Sequence, residues 1–324
     1  MNSNKEKYQK LCTAEPSIPI FSQDWWLDAA AGSSNWDVAL VENRDNIIAC
    51  MPYVKTKRAG LKISTVPPLT YCLGPWVRPV TAKNVNCISR QKEVLESLIE
   101  QLPTFDHFKQ QWHYSQTNWL PFYWRGFEQT TQYTYVIGLQ TDAGSTWQGL
   151  HESTRREIRK AMGRGGLCVR DDLSVDEFLP LHRKVYERQN MSMPYSEDVV
   201  RVLDNACAGR NRRKIFIAED PQGARHAGVY LIWDDTSAYY LMGGSDPEWR
   251  NSGAMSLCMW EAIKFASATT ERFDFCGSMI KSVERFVQAF GGMQTPYFAV
   301  SKTSSKLAAS MLFVRSLTNA HAAR

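Results

Sequence analysis

A switch of hydrophobic period, made once in each half of the chain, narrows the folds open to it more than any single residue does. In the second half, 214–219, 226–233 and 238–242 read as strands, separated by the turns Asp220-Pro221-Gln222-Gly223 and 234–237. A loop over 243–253 leads to an apolar helix at 254–268. Strand 272–276, helix 281–290, the break Gly291-Gly292 and strand 296–301 follow. Ahead of these strands, 147–162 reads as a helix with Leu150, Ile158 and Met162 on one face. Ser174 and Glu177 form a capping box opening a second helix, in which Pro180 predicts a kink or a later start, and 196–208 reads as a third. Antiparallel strands followed by helix, strand, helix, strand predict an α+β fold, a mixed and mostly antiparallel sheet flanked by helices.

The first half repeats this order. Helix 21–31 precedes hairpin strands 36–42 and 47–55 and a third strand at 61–65. Helix 89–101 points Val94, Leu95, Leu98 and Ile99 inward, and strand 107–114, helix 119–125 and strand 133–139 follow. Trp119, Phe122, Tyr123 and Trp124 read as core of this half. Gly126-Phe127-Glu128-Gln129-Thr130 echoes Gly291-Gly292-Met293-Gln294-Thr295, each between a short helix and a Tyr-bearing strand. A tandem duplication of one fold explains both halves, with domains at 1–145 and 146–301 and a boundary near Asp142–Thr146.

Charge is concentrated rather than spread. Residues 1–150 hold 14 Lys/Arg against 13 Asp/Glu, whereas 151–170 alone hold Arg155, Arg156, Arg159, Lys160, Arg164 and Arg170 against Glu152 and Glu157. That suits an anionic small ligand, or a solvated helix face, better than a DNA surface. The eight cysteines form no Cys-x-x-Cys pair and the six histidines are scattered, which argues against a metal site or a disulfide framework. No run reaches the ~20 apolar residues of a membrane span, and the polar start has no apolar leader behind it. The expectation is a cytoplasmic protein with at most peripheral membrane contact.

Four segments carry a resemblance. "YYLMGGSDPEWRNSGAMSLCMWEAIKFA" from Tyr239, "FDFCGS" from Phe273, "VERFVQAFGG" from Val283 and "STRREIRKA" from Ser153 resemble Fem-type acyltransferases, which consist of two GNAT-like domains. The chain is similar to the compact form without the helical-hairpin insertion, which implies that 302–324 packs back on the first domain. The resemblance implies an N-acyltransferase acting on an amine of a cell-envelope glycan or nucleotide-linked peptidoglycan precursor in bacteria. The donor would be acetyl-CoA or another acyl-CoA, with nothing bound permanently. Two alternatives stand: an aminoacyl-tRNA-dependent transferase of the peptidoglycan-bridge type, and a GNAT-like ligand-binding protein without catalysis. A lysine commonly follows the Phe of the "RFK" element in the family, but here Phe286 is followed by Val287.

The resemblance also locates a site. Arg250, Asn251, Ser252, Gly253 and Ala254 correspond to the loop whose backbone N–H groups receive the donor's pyrophosphate, although Met255 stands where a small residue is expected. The same residues read equally as a turn capping a buried helix. Amine acylation needs a neutral nucleophile and a proton for the leaving group. Asp274, on the face of its strand opposite Phe273 and Phe275, is a candidate base or amine-binding carboxylate, and Tyr240 a candidate acid. Arg155 and Arg159, at i,i+4, and Lys281 are candidates for acceptor phosphate. Cys276 reads as a buried strand cysteine, not a nucleophile. Ser278 lies at the same strand end.

Overall fold

A computed structural model of the chain describes residues 3–44, 46–79, 84–139, 143–163, 165–277 and 279–322. The elements run α1 (Asn4–Ala14), α2 (Asp24–Ala31), β1 (Trp36–Asn43), β2 (Asn46–Val54), β3 (Thr56–Arg58), β4 (Leu61–Thr65), β5 (Trp76–Val77), α3 (Asn84–Gln101), β6 (His107–Gln111), α4 (Leu120–Trp124) and β7 (Glu128–Gly138). They continue α5 (Ala143–Gly149), α6 (Glu152–Met162), β8 (Cys168–Arg170), α7 (Val175–Glu187), α8 (Glu197–Ala208), β9 (Arg213–Glu219), β10 (Arg225–Trp233) and β11 (Ser237–Ser245). Last come α9 (Ala254–Ser267), β12 (Arg272–Asp274), α10 (Lys281–Gln288), β13 (Met293–Thr303) and α11 (Lys306–Ala322). The chain divides into two compact units, Met1–Thr131 with Tyr297–Arg324, and Gln132–Pro296. Both divisions fall inside a strand, β7 and β13. Asp142, at the boundary expected from sequence, and Arg164 and Ser278 lie outside the described residues.

In the first unit β1, β2 and β5 form an antiparallel sheet, and β3, β4 and β6 continue into the part of β13 from Ala299 to Thr303. Helix α1, unread in the sequence because its residues are polar, starts at a capping box between Ser3 and Glu6 and buries Tyr8, Leu11 and Cys12. Gly74 is needed for packing: at φ +101°, a β-carbon there would lie 2.6 Å from the Trp112 ring. Phe122 is fully buried, but Tyr123 and Trp124 are 60% and 54% exposed, so only part of that aromatic run is core. Helix α4 is too short to turn them all inward.

In the second unit the sheet order is β7-β12-β11-β10-β9-β8, with β11 and β12 parallel and the other pairs antiparallel. Strand β10 shows why the run "AGVYLIW" is apolar throughout. Ala227, Val229, Leu231 and Trp233 join a core with Leu257, Cys258 and Ile263 of α9, while Tyr230 meets Phe178 of α7. Both faces of the strand are covered, so alternation is lost. The helix expected over 147–162 is two, α5 and α6, broken at Leu150 and restarted by His151 as N-cap. Helix α7 begins at its Ser174–Glu177 capping box and runs through Pro180.

Candidate active site

Strands β11 and β12 are matched at Ser237↔Arg272, Ala238↔Phe273 and Tyr239↔Asp274. There β12 ends, while β11 runs on to Ser245 beside β10. One residue past the last match the β10–β11 register slips: Leu231 faces Tyr240 and Tyr230 faces Met242, leaving Leu241 as a bulge. From Tyr240 onward the β12-facing edge of β11 has no ladder partner among the described residues. A wedge where parallel strands part, with an open strand edge inside it, can take an extended ligand by backbone hydrogen bonding.

Tyr240 sits on the α9 side of the sheet, against the core that includes Cys258 and Phe275. Burial and the neighbouring Cys276 and Cys258 thiols push its phenol up, and its hydroxyl has no hydrogen-bond partner among the described residues. The ring folds back along its own strand, since a β-carbon on Gly243 would lie 1.9 Å from the hydroxyl. Asp274, in register with Tyr239, points to the opposite face and is fully enclosed. Its Oδ1 accepts from Thr134 Oγ1 at 2.6 Å and from the Cys276 N–H at 2.8 Å, while Oδ2 is buried without a partner among the described residues. Burial raises its carboxyl to about 7 against these two hydrogen bonds. The two residues expected to act together thus lie on opposite faces of the sheet.

His182 was not singled out in the sequence. It is 4% exposed on α7, with Nδ1 2.8 Å from the Gly243 carbonyl and Nε2 2.9 Å from the Tyr195 hydroxyl. A carbonyl only accepts, so Nδ1 carries the proton and Nε2 accepts from Tyr195. Helix α7 comes so close here that a β-carbon on Gly244 would lie 2.5 Å from the His182 nitrogen. The Gly243-Gly244 pair was the available signal, because adjacent glycines in a strand mark close backbone approach.

The loop before α9 is less open than its sequence implies. Gly253, the N-cap at φ +80°, is pressed against α6: a β-carbon there would lie 2.6 Å from the Glu157 carbonyl. Ser252 Oγ accepts from the Ala254 N–H, and Lys160 Nζ donates to the Asn251 carbonyl at 3.0 Å. The Glu157 carboxylate accepts from Ser256 Oγ at 3.0 Å, placing a negative charge beside the first turn of α9. Arg250 is exposed and forms no ion pair with a described residue.

Arg155 and Arg159 lie on the other flank of α6, about 100° from the buried Thr154, Ile158 and Ala161 row. Arg159 stacks over Trp147, 5.6 Å from its ring, and Trp147 packs on Trp260 of α9. Arg155 is half-buried; its Nε is enclosed and lacks an acceptor among the described residues. The loop 250–254 and the two arginines therefore flank α6 on different sides and do not form one cluster. Lys281, first residue of α10, is exposed. Val287, where the family carries lysine, is 1% exposed within the core beside Phe290. Cys276 is not in a strand: it is a half-buried turn residue at φ +56°, followed by Gly277 at φ +63°.

Residues 150–286 match the model of the acetyltransferase (GNAT) domain, and the wedge lies inside that span. Three solved structures share the architecture. FemX is 12% identical with a TM-score of 0.64, covering 92% of this chain and 96% of that one. The C-terminal domain of a protein provisionally named lysylphosphatidylglycerol synthetase, from Agrobacterium fabrum, is 13% identical, with TM-score 0.56 and 97% of each chain covered. A tandem GNAT protein from the clavulanic acid biosynthesis pathway is 11% identical with a TM-score of 0.51, covering 92% of this chain and 94% of that one. No curated protein matches the sequence. The match over residues 150–286 assigns an acetyltransferase (GNAT) domain to that part of the chain, and the solved structures share the fold of the whole. Its architecture is the FemX-like form, with tandem GNAT-like domains on one chain.

Proposed function

We propose that the chain moves an acyl group from an acyl-CoA thioester to an amine of a cell-envelope glycan or nucleotide-linked peptidoglycan precursor. The observation that carries this reading is the wedge at Tyr239 and Asp274, where the bulged edge of β11 meets a tyrosine hydroxyl without a protein partner among the described residues. The donor's extended amide-bearing arm pairs with that edge, with its carbonyl beside Tyr240. The neutral amine adds to the thioester carbonyl, the C–N bond forms and the C–S bond breaks. The departing thiolate takes the Tyr240 proton, and the proton lost from nitrogen passes to solvent. Since its pKa is raised, Tyr240 keeps its proton at neutral pH and suits the acid role.

In this reading Asp274 acts from the far face. Through the Cys276 N–H it holds the left-handed Cys276–Gly277 turn at the end of β12. Arg155 and Arg159 receive acceptor phosphate, and Arg250 the donor's. The buried Val287 speaks against aminoacyl-tRNA as donor, because a lysine there would have to leave the core to reach a ligand. No helix among the described residues is long and apolar enough to cross a membrane, and the eight cysteines are free, which supports a cytoplasmic setting.

Isothermal titration with acetyl-CoA and with CoA tests the donor. Micromolar binding weakened in Arg250→Ala is the expected result. Absence of heat with both ligands would reject the thioester reading and direct the search to aminoacyl-tRNA, or to a ligand-binding role without turnover. Gly253 is unsuitable for this test, since any side chain there collides with α6.

A further inference from the structure

One step beyond the match Tyr239↔Asp274, where the wedge opens, Tyr240 of β11 stands level with Phe275. The Phe275 N–H donates to the Tyr135 carbonyl of β7 at 3.1 Å, which carries the same row on to a third strand. Tyr135, Phe275 and Tyr240 all pack on the core on the α9 side of the sheet. Neighbouring strands lie about 4.8 Å apart, so Tyr135 stands roughly 10 Å or more from Tyr240 along this row. The Tyr135 ring is buried. Its hydroxyl donates to Glu284 Oε1 and accepts from Gln294 Nε2 at 3.1 Å.

Helix α10 brings Glu284 to this place. Val287 and Phe290 anchor the helix in the same core, with the Phe290 ring 5.7 Å from that of Phe275. Glu284 precedes Val287 by one i,i+3 step, so the two share a helix face. Glu177, Glu197 and Glu219, half-buried like Glu284 and in the same unit, each meet an arginine. Glu284 forms no ion pair with a described residue, and no described residue donates to its Oε2. Burial and the neighbouring Glu284 raise the Tyr135 phenol, which therefore keeps its proton and orients the carboxylate. A carboxylate with one oxygen fixed, the other open and no counter-charge suits an amine ligand.

We propose that Glu284 receives the acceptor amine and takes its proton, an assignment that rests on the acyl-CoA reading above. Oε2 accepts an amine N–H and turns the nitrogen lone pair toward the thioester carbonyl. As the C–N bond forms and the C–S bond breaks, the nitrogen proton moves to Glu284 and from there to solvent. Tyr240 protonates the departing thiolate and regains its proton from solvent. Acid and base then serve one face of the sheet, whereas Asp274 lies on the other.

The test follows release of CoA from acetyl-CoA, with D-glucosamine and with a lysine-bearing UDP-N-acetylmuramoyl pentapeptide as amine probes. Glu284→Gln should lower kcat by about 100-fold or more, as for a lost general base, with acetyl-CoA affinity and melting temperature unchanged. Glu284→Ala should regain about tenfold in rate on addition of formate, a diffusible carboxylate, but not of chloride. Tyr135→Phe should lower kcat about tenfold without altering the donor KM, since it frees the carboxylate from a charge-assisted hydrogen bond. Wild-type turnover with a fully active Glu284→Gln, or a slow Glu284→Ala that formate leaves slow, would overturn the assignment and leave the acyl-CoA reading standing. Release of no CoA by the wild type with either probe would reject both.

Discussion

Tyr240 and Gly243 occupy one small volume, because the tyrosine hydroxyl stands where the β-carbon of any other residue at 243 would be, 1.9 Å away. The glycine is therefore a condition for the placement of the phenol. Tyr240→Phe should lower kcat by about 100-fold or more, with little change in the KM for the donor, as expected for loss of a general acid. Gly243→Ala should reproduce the kcat loss by displacing the ring, and the double variant should be no slower than the worse single one. Steady-state kinetics of the three variants check this. A fully active Gly243→Ala enzyme would separate Tyr240 from the chemistry.

Asp274 gives a pH signature in stability. Its carboxyl is raised from 3.8 to about 7 in the folded protein, chiefly by burial. Between those values the native state holds a proton that the unfolded chain has lost, so ∂ΔG/∂pH is negative. The contribution is complete below the unfolded value and is lost as pH rises through about 7. Each tenfold difference in proton affinity between the two states is worth about 1.4 kcal/mol, so the loss amounts to a few kcal/mol at most. Asp274→Asn mimics the protonated form, and its advantage over wild type should grow from pH 4.5 to pH 8. Urea unfolding at both pH values measures it, and parallel curves for the two proteins would refute the assignment.

Arg155 carries the acceptor prediction. Its Nε is enclosed and has no acceptor among the described residues, which suits the guanidinium to an anionic ligand. Arg155→Ala should weaken binding of a nucleotide-linked sugar precursor about tenfold or more, since a charge-assisted hydrogen bond contributes about 1.5–3 kcal/mol. Acetyl-CoA affinity should stay unchanged, and the exposed neighbour Arg156→Ala serves as control. Equal losses for Arg155 and Arg156 would reduce the effect to general electrostatics.

The order of strands and helices was legible because period is a local property. The strands from Lys214 to Met242, the helix opened by Ala254 and the Ser174 capping box all follow from residues close together in the chain. The site was legible only in part. Asp274 is a matched position and Tyr240 is next to one, but a strand's faces alternate, and which residue lies opposite which depends on the long-range register Tyr239↔Asp274. The crowding of Gly253 by Glu157 and the closure of Gly243 by His182 join segments far apart in sequence. No local pattern encodes those contacts. Polar α1 was missed for a different reason: its cap lies outside any hydrophobic period, and its core contribution rests on Tyr8, Leu11 and Cys12 alone.

His182 makes the opposite pH prediction to Asp274, and this allows the two to be told apart. Burial lowers its imidazole below the ordinary 6.5, outweighing the Gly243 carbonyl and Glu197. As pH falls below 6.5 the unfolded chain takes up the proton first, so ∂ΔG/∂pH is positive in that window. The stability is complete above the unfolded value and is lost on acidification, levelling off below the folded one. Protonating Nε2 also removes the acceptor that holds Tyr195, loosening the chain between α7 and α8 from β11. His182→Phe leaves the Gly243 carbonyl and the Tyr195 hydroxyl without their partner, which costs about 1–3 kcal/mol for each group left buried and unpaired. It should therefore be less stable than wild type at pH 7.5, and the gap should narrow towards pH 5. Tyr195→Phe removes only the second hydrogen bond, so it should keep the slope while losing part of the stability. The difference between wild-type and variant unfolding curves isolates each residue, because the Asp274 contribution is common to both curves and cancels. A gap that stays constant from pH 7.5 to pH 5 would mean that His182 does not titrate in this window, and the pH-linked release of Tyr195 would fall with it.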